Sequence, residues 1–169
     1  MEITSGDGQK IVDREIDDRT IREELLSQVR KCVARAGPRD EVLKAICRLL
    51  YDGIDRYDWV GFYFVDASRK VLRLGPYVGA PTRHVKIPFG QGVCGLAAQK
   101  RQALMVPDVF KVVNYLSCSP RVKSEFVMPI FVRGEMAAEL DIDSHTLDAF
   151  GKSDKDFLEA VAGAVAEIL

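Results

Sequence analysis

Glu139, Asp141 and Asp143 stand in the stretch Ala138-Glu-Leu-Asp-Ile-Asp-Ser144, where apolar and acidic residues alternate. A strand turns successive side chains to opposite faces, so Ala138, Leu140 and Ile142 point one way and the three carboxylates the other. Like charges that close repel, and on an enclosed face at least one carboxyl keeps its proton near neutral pH. Such a neutral acid can protonate a bound substrate. On an open face the same pattern is only a half-solvated strand with a wet acidic side.

Strand parity favours the enclosed face. Trp59-Val-Gly-Phe-Tyr-Phe-Val65 reads as a buried strand from its aromatic and β-branched content. If Val60, Phe62 and Phe64 face the same core as Leu140, then Trp59, Gly61 and Tyr63 share the acidic side. In a strand from Glu125 to Val132, Phe126, Met128 and Ile130 suit the core, which leaves Glu125, Val127 and Pro129 on the acidic side. Trp59, Tyr63, Glu125, Asp141 and Asp143 then converge as aromatic walls with a few acids, the composition of a small polar ligand site. The long connection between Val78 and Glu125 is available to roof it.

The elements that must hold these strands follow from periodicity. Residues 1–19 read as a loose polar lead-in, and 20–169 as a single domain. Ile21, Leu25, Val29 and Cys32 or Val33 recur at helical spacing, with Thr20 as the N-cap. A second helix starts near Asp40 with a stripe of Val42, Ile46, Leu49, Leu50 and Ile54. Hairpin strands, a strand near His84–Pro88, a glycine turn opening a short helix to about Gln99, a short strand at Leu104–Val106 and an irregular stretch over 108–124 follow. Two strands joined at Arg133-Gly134 come next, and a final helix capped by Ser153 or Asp154 buries Phe157, Leu158, Val161, Val165 and Leu169. The order implies an α+β fold: a mostly antiparallel central sheet with the N- and C-terminal helices on one face and a loop-covered pocket on the other.

The chain has 169 residues, enough for one full core, and a formal charge of −1 that gives no reason to expect a nucleic-acid partner. No apolar run is long enough to span a membrane and no apolar leader opens the chain, so the expected location is cytoplasmic. Its four cysteines, Cys32, Cys47, Cys94 and Cys118, are then expected as thiols, and their spacing fits no zinc motif. Cys32 and Cys47 lie on or beside apolar stripes and read as small buried hydrophobes. Cys94 follows Gly-Gln-Gly-Val at a predicted helix N-terminus. There the helix dipole lowers a thiol's pKa, although packing alone also accounts for it. Cys118, in a polar loop beside Arg121 and Lys123, reads as a reactive thiol. His84 and His145 are isolated and read as surface or supporting residues rather than catalytic bases.

Taken together, Trp59-Val-Gly-Phe-Tyr63, Leu74-Gly-Pro-Tyr77, Phe89-Gly-Gln-Gly-Val-Cys-Gly95, Val106-Pro-Asp-Val109, Lys123-Ser-Glu125 and Leu140-Asp-Ile-Asp-Ser144 resemble GAF domains, and among them the stand-alone free methionine-R-sulfoxide reductases. The resemblance implies a cysteine that attacks the sulfoxide sulfur and becomes a sulfenic acid. A second thiol resolves it, no cofactor is bound, and thioredoxin is the electron donor and partner. It matches Cys118 to the catalytic cysteine and Trp59, Tyr63, Glu125, Asp141 and Asp143 to the pocket. A homodimer through the terminal helices is the usual assembly of such domains. Two departures bear on the resolving step. His84 stands where the family commonly has the resolving cysteine, and Val112-Val-Asn-Tyr-Leu-Ser-Cys118 lacks the usual Pro-Gly-His. Either Cys94 resolves Cys118, or an external thiol does, or the chain is a non-catalytic small-ligand-binding and signalling module.

Overall fold

Alternating strands and striped helices sort the chain into two layers. The structure, a computed structural model, describes residues 6–35, 37–116 and 119–169. Helices α1 (Gly6–Ala34) and α2 (Arg39–Gly53) lead into strands β1 (Trp59–Asp66), β2 (Val71–Val78) and β3 (Lys86–Pro88). Helix α3 (Gly92–Lys100), strands β4 (Leu104–Val106), β5 (Ser124–Val132) and β6 (Glu135–Ser144) and helix α4 (Lys152–Val165) complete the order. The strands form one antiparallel sheet, ordered β3-β2-β1-β6-β5-β4, so β6 is central although it comes last in sequence.

Each face of the sheet has its own apolar cluster. Val60, Phe62, Phe126, Met128, Ile130, Ala138, Leu140 and Ile142 pack under α1, α2 and α4 with Leu25, Val29, Leu43, Ile46, Leu50, Phe157, Leu158 and Val161. On the other face Trp59, Tyr63 and Val127 pack with Ile87, Val93, Cys94, Ala97 and Ala98, so β3 and α3 roof the sheet there. The expected α+β arrangement and the strand parities agree with this architecture. Gly61 is required by the roofed side. A Cβ there would lie 2.3 Å from the Trp59 ring and 2.7 Å from Tyr77 Cβ, so only glycine lets the indole lie across β1.

The N-terminal reading is corrected. The stretch expected as a loose lead-in is helical from Gly6, and Thr20 lies inside α1 instead of capping it. The cause is local: this stretch has no apolar stripe to announce a helix, and the sequence reading relied on one. Pairs at i and i+4, Arg19–Glu23 at 2.8 Å and Asp18–Arg22 at 3.7 Å, lie at its junction with the rest of α1. The expected stripe is also rotated, for Ile21 is exposed and Arg22 is buried.

Asp154 explains that rotation. Its carboxylate accepts Arg22 Nη2 at 3.0 Å, Arg56 Nη2 at 2.8 Å and the Tyr57 hydroxyl at 2.8 Å. It also accepts the backbone N–H of Gly151 at 2.9 Å, so Gly151 is the N-cap of α4 and Asp154 closes the first turn from inside. Burial works to raise its pKa. The Gly151 N–H and the guanidinium groups of Arg22 and Arg56 outweigh that and hold it below the ordinary carboxylate range. A depressed carboxyl stabilises the fold above its unfolded pKa, and that contribution is lost as pH falls through the folded value. Asp154→Ala takes from the buried Arg22 its closer carboxylate partner, leaving Asp18 at 3.7 Å, and is expected to cost about 3–5 kcal/mol in urea unfolding at pH 7. A loss under about 1 kcal/mol would remove Asp154 from this role.

Candidate active site

The site begins with register. Across the three central strands Trp59, Asp143 and Glu125 lie side by side, then Gly61, Asp141 and Val127, then Tyr63, Glu139 and Pro129. Alternation therefore projects Glu125, Glu139, Asp141 and Asp143 from one face, and all four are buried. From above, the first turn of α3 brings Cys94, whose Sγ donates to Glu125 Oε1 at 3.7 Å. The Trp59 ring stacks on Tyr77 at a centroid distance of 5.2 Å, and Trp59 Nε1 donates to the Ala80 carbonyl at 3.1 Å. The Tyr63 hydroxyl donates to the His84 carbonyl at 3.0 Å, tying the roof to the sheet.

Buried carboxyls with few donors cannot stay ionised. Among the described residues neither oxygen of Glu139, Asp141 or Asp143 completes a hydrogen bond of good geometry. Burial pushes all four upward. For Asp143 the neighbouring Asp141 and Asp58 add to it, and for Glu125 the neighbouring Asp141 and Asp143. The Tyr115 hydroxyl partly offsets the rise at Glu125, and the Cys94 thiol does so at Glu139. Asp141 rises to about 7, through burial, with its contacts to Cys94, Glu125 and the Ile142 backbone holding it down. The upward shifts favour protons held in the site, in line with the sequence expectation of at least one protonated carboxyl.

Cys94 departs from expectation in the opposite sense. A helix N-terminus was expected to lower its pKa, but burial and then Asp141, Glu139 and Glu125 raise it well above the ordinary thiol value. The effect of one helical turn is small beside burial against three acids. Cys47 also rises, to about 12, chiefly through burial, in keeping with a packing role. Cys118 lies outside the described residues.

A cavity of about 350 Å³ opens beside the acids, lined by Trp59, Asp143, Asp58, His145, Ser119 and Arg121 among others. A larger groove of about 550 Å³ runs between α1 and α4. It lacks the convergent buried acids that make the smaller one a candidate site. The sequence reading missed Asp58, His145 and Arg121 as cavity residues. His145 is not isolated: its Nδ1 lies 3.2 Å from Asp58 Oδ1 and its backbone N–H donates to Asp58 Oδ2 at 2.7 Å. A signal for it existed, since His145 continues the odd-numbered series of Glu139, Asp141 and Asp143 past the end of β6.

A helix-backed antiparallel sheet whose second face is roofed over a cavity and buried acids defines an α+β domain with a concave acidic face. The chain belongs to the GAF domain family, whose model matches residues 38–169. It is 40% identical over 103 residues to GAF domain-containing protein A of Dictyostelium discoideum, covering 61% of this chain and 64% of that one. It is 40% identical over 107 residues to the free methionine-R-sulfoxide reductase of Saccharomyces cerevisiae, covering 62% and 59%. The match thus spans less than two thirds of both relatives' length. Among solved structures, the free methionine-R-sulfoxide reductase of Neisseria meningitidis in complex with its substrate superposes with a TM-score of 0.83 at 32% identity, covering 88% of each chain. Among the described residues no helix is long and apolar enough to cross a membrane.

Raised carboxyl pKa values make stability depend on pH in a fixed direction. A carboxyl that holds its proton more tightly when folded stabilises the fold fully below its unfolded pKa, and that contribution is lost as pH rises through the folded value. For Asp141 the window runs from the ordinary 3.8 to about 7. The isosteric Asp141→Asn removes it. The melting temperature of the variant relative to wild type is expected to be higher at pH 8 than at pH 5 by about 5 °C, equivalent to roughly 2 kcal/mol. An offset that does not change between the two pH values would mean that Asp141 is ionised in the native state throughout.

Proposed function

We propose that this protein reduces free methionine-R-sulfoxide to methionine, with Cys118 as the attacking thiol and Cys94 as the thiol that resolves it. The observation that carries the reading is the group of buried, proton-holding carboxyls beside an aromatic wall. Support comes from relatives named for this reaction and from a likeness to one solved with its substrate.

The reaction needs a proton as much as a nucleophile. The Cys118 sulfur attacks the sulfoxide sulfur while a carboxyl of the Glu125, Asp141 and Asp143 group gives its proton to the sulfoxide oxygen. The S–O bond of the substrate breaks, methionine leaves, and the oxygen stays on Cys118 as a sulfenic acid. The Cys94 thiol then attacks that sulfur, a disulfide forms and water departs. Two electrons and two protons from the dithiol of thioredoxin restore both thiols, and no prosthetic group takes part. A reducing cytoplasm suits such a cycle.

The raised pKa of Cys94 has a role in this scheme. A thiol held protonated does not attack a disulfide or a metal-free surface at random, yet it can lose its proton to a carboxylate that has just discharged its own. Recognition of the amino-acid end uses the cavity wall. Asp58 takes the ammonium group, Arg121 takes the carboxylate, and the face of Trp59 covers the methyl end.

The test is NADPH oxidation in a thioredoxin-coupled assay with free methionine-R-sulfoxide. Cys118→Ser is expected to lower kcat by about 10³-fold or more. Cys94→Ser is expected to lose thioredoxin-driven turnover but still form one methionine per chain in a single turnover. Arg121→Met is expected to raise KM about tenfold with little change in kcat, the signature of lost uniform binding. Full turnover in Cys118→Ser would rule out the mechanism. No methionine from the wild type, with thioredoxin or with dithiothreitol, would leave the chain as a small-ligand-binding GAF module.

A further inference from the structure

Cys94, Glu125 and Asp141 each offer a ligand atom, and those three atoms lie within 4.8 Å of one another. They come from α3, β5 and β6, with no short spacing between them in sequence. The 3.7 Å between Cys94 Sγ and Glu125 Oε1 is close to the roughly 3.5 Å that sulfur and oxygen span across a tetrahedral zinc ion with ordinary bond lengths. A second observation points to a ligand in the same place. Glu139 is fully buried, faces the Cys94 thiol, and neither of its oxygens completes a hydrogen bond among the described residues. Both oxygens of Asp141 are in the same condition.

We infer that Cys94, Glu125 and Asp141 form a binding site for one thiophilic divalent cation of the zinc class, with Glu139 beside the Cys94 sulfur but outside that set. A thiolate with carboxylates selects such an ion over magnesium or calcium, which take oxygen ligands alone. Buried acids need positive charge close by, and a divalent cation supplies it in one ion where protons otherwise do. Access runs from the cavity: Asp143 lines its wall and lies directly opposite Glu125 in the strand register. An ion held there coordinates the Cys94 sulfur and immobilises the carboxyls next to it. The site stands on this geometry and does not depend on the reductase reading.

The experiment is a titration of the reduced, metal-free full chain with Zn2+ in competition with a chromophoric chelator, repeated with Co2+ to report sulfur ligation by its thiolate charge-transfer absorption. One equivalent of Zn2+ per chain is expected, with that absorption present for Co2+ and no competition from millimolar Mg2+ or Ca2+. Cys94→Ser is expected to abolish the absorption, and Glu125→Gln and Asp141→Asn each to weaken zinc at least tenfold, with Glu139→Gln the weakest of the three in effect. Cys32→Ser, Cys47→Ser and Cys118→Ser are expected to bind as wild type. Near-UV circular dichroism identifies any variant that fails to fold, and the three amide variants keep side-chain shape if the serine does not. Absence of stoichiometric zinc in the wild type would overturn the inference, as would binding that survives Cys94→Ser and Asp141→Asn or that is lost in Cys118→Ser. Binding is read without turnover, so zinc bound by an inactive protein, or turnover by one that binds no zinc, separates the two proposals.

Discussion

The constraint on which the rest of the structure depends is the exclusion of water from the acidic side of β6. Carboxyls in the middle of a sheet would be unremarkable on a solvated face, where each stays ionised and costs nothing. Here α3, β3 and the Trp59 ring close over them, and Gly61 exists to let that ring approach. Once enclosed, four acids on neighbouring strands cannot all carry charge, because both desolvation and mutual repulsion act against it. Protons must be retained, so the chemistry of the site is set by packing before any substrate arrives.

The fold solves the problem of a buried acid twice, in opposite ways. Asp154, on the helical side, is surrounded by Arg22, Arg56, Tyr57 and the Gly151 N–H, and it stays ionised. The quartet on the other side has no cation among its described neighbours within ion-pairing distance, and burial pushes the pKa of all four upward. The first arrangement joins α1, α4 and the loop that follows α2, and contributes stability at neutral pH. The second removes stability as pH rises, which is the usual relation between a site kept for chemistry and the scaffold that carries it.

Much of this was legible in the sequence because the relevant period is short and strict. With side chains alternating along each strand, the apolar sets of β1, β5 and β6 fix their facing, and Trp59, Tyr63, Glu125, Asp141 and Asp143 fall together without any knowledge of the roof. What was not legible depends on contacts between distant residues. Arg22 meets Asp154 across 132 positions, and no local pattern announces that an arginine will displace Ile21 from the inner face of α1. The helix before Thr20 was missed because that stretch carries no apolar stripe to announce it. Asp58 and His145 pair across 87 positions, and only the continued parity of β6 hinted at one of them.

Cys94 shows why local rules fail at such a site. Its position in the first turn of α3 argues for a lowered pKa, and that argument holds for a thiol at an exposed helix end. The turn is instead pressed against Glu125, Glu139 and Asp141, where burial comes first and their charges add to it. The same closeness that keeps the sulfur protonated also gathers one soft and several hard ligand atoms within a single coordination sphere. On the two proposals made above, proton, disulfide and metal ion are competing ways of satisfying one sulfur and its acids, because all three draw on the same closely packed atoms.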